Sequence, residues 1–176
     1  MISRTTKINE ETGEIFSQKD TKFTIFDADK GYLFRAKNFS VKSYLDIKLS
    51  DVVTDDMDYM RCHKLAEHIY KDTNTIAIRY GKKNRMADLD DICNIINMSP
   101  RRTKDFVTRM QKLHVLAVRT DCIGDVVQIK YVFNPLFFSS NKFLHSDLYF
   151  LFQSSLDKYL PAWVTQSFHD ASNIKK

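Results

Sequence analysis

The sequence predicts an α+β fold. Three observations carry this: alternating strand-like segments in the first fifty residues, a change to helical period near Asp55, and a return to alternation after His114. With 176 residues, 43% hydrophobic and 28% charged, the chain has room for one ordinary domain with extensions. Four Gly and three Pro leave no flexible or Pro-rich linker, while 13 Phe and 8 Tyr provide for a substantial core.

Taken in order, Ile8 and Glu14-Ile15-Phe16 flank a turn at Thr12-Gly13. Phe23 to Phe26 and Tyr32 to Phe34 flank the turn residues Asp27 to Gly31, a hairpin pattern. Met57, Met60, Leu65 and Ile69 fall near helical spacing and predict a helix over 56–71, ended by Thr73 and Asn74. Thr75 to Tyr80 reads as a short strand, and Gly81-Lys82-Lys83-Asn84-Arg85 as a basic loop.

Asp88 then caps a helix whose apolar positions are Leu89, Ile92, Cys93, Ile95 and Ile96. Asn97-Met98 makes a tight break. Ser99 caps, and Pro100 opens, a second helix running to Leu113. Its apolar face is Phe106, Val107, Met110 and Leu113. Leu116 to Thr120 and Val127 to Phe133 alternate around the turn Asp121 to Asp125, giving a hairpin with one greasy and one polar face. In the tail, a helix is predicted over 147–160, capped by Ser146 or Asp147 and stopped by Pro161, with residues 170–176 frayed. It is apolar nearly all round, so it requires burial on several sides, for which a subunit interface is one solution.

From residue 56 the predicted order is helix, strand, helix, helix, strand, strand, the order of a winged helix-turn-helix. The expected organisation is a strand-rich N-terminal β-hairpin extension over 1–50, a winged helix-turn-helix over 51–138, and a C-terminal hydrophobic helix and tail over 139–176 that serves dimerisation.

The net charge of +5 and a pI of about 9.0 permit a polyanionic partner without requiring one. Placed at about 100° per residue, the helix from Pro100 turns Arg101, Lys104, Asp105, Thr108 and Lys112 to the arc opposite its apolar face, with Arg109 at the edge. Arg and Lys can bond guanine edges or phosphates and Thr can bond either. Ser99, Arg101 and Arg102 sit at the helix start, where free amides favour phosphate. Asp105, four residues from both Arg101 and Arg109, is expected to pair with one of them. Arg119 and Lys130, with Gln128, share the polar face of the hairpin, and Lys82, Lys83 and Arg85 form a second backbone-contact candidate. Each of these sets also reads as an ordinary solvated face.

Catalysis finds little support. His63 and His68 are five apart and do not share a helix face, and Cys62 diverges from His63. Asp55, Asp56 and Asp58 read as helix caps and dipole partners. No phosphate loop, dinucleotide fingerprint or nucleophile elbow occurs. No catalytic residue, metal site or cofactor is assigned. The polar N-terminus, the short apolar runs and three scattered cysteines (Cys62, Cys93 and Cys122) predict a cytoplasmic protein without a membrane span.

Three segments resemble the RepL-type winged-helix replication proteins of Gram-positive plasmids and their phage relatives: Ile8-Asn9-Glu10-Glu11-Thr12-Gly13-Glu14-Ile15, Leu89-Asp90-Asp91-Ile92-Cys93-Asn94-Ile95-Ile96-Asn97-Met98-Ser99-Pro100-Arg101-Arg102-Thr103, and Tyr131-Val132-Phe133-Asn134-Pro135-Leu136-Phe137-Phe138. The resemblance implies binding at an origin or operator, read by the helix from Pro100. The insert over 17–50 and the aromatic tail after 139 exceed the family pattern, so transcription regulation stands beside replication initiation. The expected function is sequence-specific binding of double-stranded DNA, as a homodimer. The other expectation is a protein-interaction module that docks on polymerase or replication machinery through the aromatic tail.

Overall fold

The chain folds as an α+β protein. The computed structural model describes residues 2–8, 15–22, 26–27, 29–33, 47–70, 73–81, 83–123, 126–139 and 143–174. Among these, six α-helices are joined to small antiparallel sheets, and no helix is long and apolar enough to cross a membrane.

At the N-terminus, β1 (Ile2–Ile8) pairs with β2 (Ile15–Lys22); the Thr12-Gly13 turn lies outside the described residues. β3 (Phe26–Asp27) and β4 (Gly31–Leu33) form the second predicted hairpin, and β4 also pairs with β9 (Phe143–Leu144) from the tail. Gly31 is needed there twice over. Its φ is +85°, and a Cβ would run into the backbone carbonyl of Leu144.

The central segment begins with α1 (Asp56–Ala66), capped by Asp55, whose carboxylate accepts from the Asp58 amide at 2.7 Å. α1 ends at Ala66, short of the predicted 71, because Ile69 turns away to bridge Ile76. Residues 74–76 then run beside the later hairpin: Thr75 bridges Val132, and the Ile76 amide donates to the Tyr131 carbonyl. The basic stretch predicted as a loop is a strand. β5 (Ala77–Tyr80) and β6 (Lys83–Met86) pair across Gly81, with Lys82 outside the described residues.

α2 (Leu89–Ile96) carries a full capping box: the Asp91 amide donates to Asp88, and the Asp88 amide donates to Asp91, each at 2.9 Å. The Asp91 amide, then Arg85, hold the Asp88 carboxyl below its ordinary value. Asn97 closes α2 in the left-handed region at φ 54°, the conformation Asn tolerates best after Gly. α3 (Pro100–Lys112) follows with Pro100 at its first turn. Ser99 occupies the N-cap position, but its side chain makes no cap bond. The predicted hydroxyl cap is therefore corrected: the pre-set φ of Pro100 starts this helix without it.

β7 (Leu116–Ile123) and β8 (Val126–Phe133) form the predicted hairpin after α3, in register from Leu116–Phe133 to Ile123–Val126. Only the inner half of its greasy face is covered. Tyr131 and Phe133 are buried, whereas Val127 is 63% and Ile129 49% exposed. The greasy face read from the alternation is therefore a core face only along Tyr131 and Phe133. Leu113, predicted inward, is half-exposed at the C-cap of α3.

The tail departs most from expectation. The single helix over 147–160 is broken at Phe152 (φ −118°, ψ 20°) into α4 (Ser146–Leu151) and α5 (Gln153–Leu156). Neither Ser146 nor Asp147 caps it; His145 holds the N-cap position. Past Pro161 the chain forms α6 (Ala162–Ile174), where fraying was expected from residue 170. The apolar tail is buried within its own chain. Leu148, Tyr149, Phe152, Leu156, Leu160, Val164 and Phe168 join the same core as α1 to β8, and Tyr149 stacks on Phe168 with centroids 4.2 Å apart. Burial on several sides is thus met without a second subunit.

Cys62 is fully buried, with its Sγ 3.4 Å from the Met110 sulfur. Burial, and secondarily Asp58, push its thiol up to about 12. Cys93 is also buried, but Cys122 lies exposed on β7. With the native protein, a maleimide should label Cys122 within minutes and spare Cys62 until denaturant is added. Equal labelling of Cys62 and Cys122 under native conditions would contradict this packing.

Candidate nucleic-acid interface

α3 lies across the core by way of Thr103, Phe106, Val107 and Met110, all buried. That orientation leaves Arg101, Lys104, Asp105, Thr108 and Lys112 on the exposed side, the arc that the helical period assigns them, with Arg102 also exposed at the helix start.

The cations separate into two groups by their partners. Arg109 belongs to the fold. Its guanidinium makes a bidentate bond to Asp58 on α1, Nε to Oδ2 at 3.0 Å and Nη2 to Oδ2 at 2.8 Å. Asp58 is almost wholly buried and also accepts from Arg61 at 2.7 Å. The expected Asp105–Arg109 pair is therefore replaced by one across 51 residues of sequence. The acidic run before α1 hid this: Asp55 and Asp56 act at the helix start, and Asp58 is the inter-helix ligand.

Arg85 is likewise committed. It grips Asp91 with both terminal nitrogens, at 2.7 and 2.9 Å, and reaches Asp88 at 3.2 Å. On the β7–β8 hairpin, Asp121 sits between two predicted contact residues, bonding Arg119 Nε and Lys130 Nζ at 2.6 Å each. Lys130, then Arg119, hold its carboxyl below the ordinary value. Arg119 also lies 3.6 Å from Asp147 on α4. The polar face of this hairpin is thus close to charge-neutral and tied to the tail.

Arg101, Arg102, Lys104 and Lys112 form no ion pair among the described residues, and neither does Lys83 on β6. Thr108 donates its hydroxyl to the Lys104 carbonyl at 2.8 Å, so the hydroxyl proton is used within the helix and only its oxygen remains to accept. Lys82 lies outside the described residues. Sequence spacing thus brings Arg101, Lys104 and Lys112 onto one face of α3, with Arg102 at its start. It could not tell them from Arg109, whose acid is on α1, or from Arg85, Arg119 and Lys130, which the fold sets against Asp88, Asp91 and Asp121.

Among the described residues, no group of three His, Cys, Asp or Glu side chains is placed to hold a metal ion. His63 packs between Tyr59 and Phe138, with ring centroids 4.5 and 5.1 Å away. No family model matches this chain, and neither a curated protein nor a solved structure does.

Proposed function

We propose that this chain binds double-stranded DNA with α3 as the groove-entering helix of a winged helix-turn-helix, α2 as its supporting helix and β7–β8 as the wing. The observation that carries this reading is the set of exposed α3 cations that form no ion pair among the described residues, Arg101, Arg102, Lys104 and Lys112. Solvated helices ordinarily lace such charges with acids at i±4. Here Asp105 is the one acid on that face and forms no ion pair among the described residues, whereas Arg85, Arg109, Arg119 and Lys130 each meet a carboxylate.

Direct base contacts in this reading come from Arg101, Lys104 and Lys112, and phosphate contacts from Arg102 and the amides at the start of α3. The resemblance to RepL-type replication proteins supports an origin or operator as the target, for replication initiation or transcription control. A homodimer on two half-sites about 10 bp apart, or a multiple, is the corresponding assembly.

Fluorescence anisotropy with a random duplex across a salt series tests this. Wild type is expected to bind non-specifically at ~10⁻⁴ to 10⁻⁶ M. On random duplex, where no base pair is selected and all three cations rest on phosphates, replacing Arg101, Arg102 and Lys104 by Ala should flatten the slope of log K against log salt by about 2.7, the share of about three phosphates. Arg109→Gln should change that slope far less, because its guanidinium is held on Asp58 at α1 and turned from the open face. Absence of binding by wild type at low salt would sink the reading. The exposed Phe150, Tyr159 and Trp163 of the tail would then favour the protein-docking alternative.

A further inference from the structure

The β5–β6 hairpin is an unusual appendage. Its ten residues, Ala77 to Met86, include Arg79, Lys82, Lys83 and Arg85 and no acid. Its root is fixed three ways. The Ala77 amide donates to the His68 carbonyl at 2.9 Å, the Ala87 amide donates to the Ile76 carbonyl at 2.9 Å, and Arg85 clamps the start of α2 through Asp88 and Asp91. Its tip is unsupported. Gly81 has φ 61°, and a Cβ there would meet nothing within 4 Å. Tyr80 is 74% exposed, the most exposed large hydrophobic residue among those described.

Cross-strand pairing sets what the tip presents. Tyr80 faces Lys83 on the side shared by Ile78 and Arg85, and Arg79 pairs with Asn84 on the other. Arg79 donates through Nε to the Gly81 carbonyl at 3.3 Å, which stiffens the turn and leaves its terminal nitrogens open. Neither Arg79 nor Lys83 has an ion-pair partner among the described residues. A purely structural hairpin would turn its aromatic side chain toward the core. This one turns it outward beside Lys83, with Arg79 on the opposite face of the same tip, an arrangement complementary to a sugar–phosphate backbone.

We infer that the β5–β6 hairpin is a second nucleic-acid contact, an arm that grips the duplex backbone with Arg79 and Lys83 and lays Tyr80 against it. This rests on the duplex-binding reading of α3. In that role Arg85 is a positioning residue, which joins the arm to the helix that packs on α3.

The experiment is the same anisotropy salt series, run on full-length wild type, the α3 triple-alanine variant, Arg79→Gln/Lys83→Gln, Arg79→Glu/Lys83→Glu and Tyr80→Ala. The double Gln variant should flatten the log–log slope by about 1.8, the share of about two phosphates. The double Glu variant should weaken binding further. Tyr80→Ala should lower affinity severalfold at every salt concentration with the slope unchanged, because the phenol carries no charge. All three positions are exposed, and thermal unfolding checks that the variants keep the fold. Unchanged slopes in both double variants, with the α3 variant weakened, would overturn the arm and leave the α3 reading standing. A wild type that binds no duplex at low salt overturns both.

Discussion

Replacing Phe106 by Ala should cost about 3–5 kcal/mol, seen as a shift in the denaturant midpoint at unchanged m-value and a fall in Tm of about 10 °C. Phe106 is fully buried at the middle of α3, flanked by Val107 and Met110 in the core that α1, α2 and β7 share. Removing the ring deletes its transfer free energy and leaves a cavity that rigid helices cannot collapse around. A domain of this size has only about 5–15 kcal/mol in reserve, so about a fifth or more of its stability would go. Duplex binding should fall only as far as the folded fraction falls, because the cations of α3 point away from the core. A loss under about 1 kcal/mol would mean that Phe106 does not anchor α3.

Asn74→Ala should be nearly as damaging, at roughly 3 kcal/mol, for a different reason. Asn74 is fully buried with φ 52°. Its Nδ2 donates to the carbonyls of Phe133 at 3.2 Å and Phe138 at 2.7 Å, and its own backbone carbonyl accepts from the Phe133 amide at 2.9 Å. One side chain thereby ties the strand edge at 74–76 to the end of β8 and to the turn after it. Alanine strips the donors from two buried carbonyls, at about 1–3 kcal/mol for each left unsatisfied, and holds a Cβ residue in a left-handed conformation that costs about 1–2 kcal/mol. Asn74→Gly loses the same hydrogen bonds without the conformational penalty, so it should be about 1 kcal/mol less damaging than Ala. Equal losses for Gly and Ala in chemical denaturation would show that backbone strain has no part in it. Losses under about 1 kcal/mol for both would remove the hydrogen bonds from the account as well.

A second buried amide, Asn134, has a related place at the other end of this junction. It donates to the His114 carbonyl and to Ser155 Oγ, and accepts from the Leu136 amide. The segment Asn134 to Phe138, one of those quoted for the resemblance, is wholly buried. It is where the β7–β8 hairpin, α3 and the tail meet. Its asparagines satisfy carbonyls that no regular ladder reaches.

The parts of this protein legible in the sequence are those fixed over a few residues. Asp55, Asp88 and Pro100 mark helix starts because caps and the φ of proline act within one turn. Asn97 marks a stop because its side chain tolerates the left-handed region. The apolar arc of α3 follows from a 3.6-residue period, and that period alone puts Arg101, Lys104, Thr108 and Lys112 on the open face. Tertiary structure decided what depends on meetings between distant residues. Asp58 withdraws Arg109 from the open face across 51 residues of sequence, and pairing of β7 with β8 brings Lys130 to Asp121. The tail breaks at Phe152, and its helices fold back onto their own core. β6 forms where composition read as a loop, because β5 lies beside it. The physical reason is common to these cases. Caps and periodicity are intrinsic to a short segment, whereas the partner of a charge, and the surface that covers an apolar face, are supplied by chain that is remote in sequence and comes close only on folding.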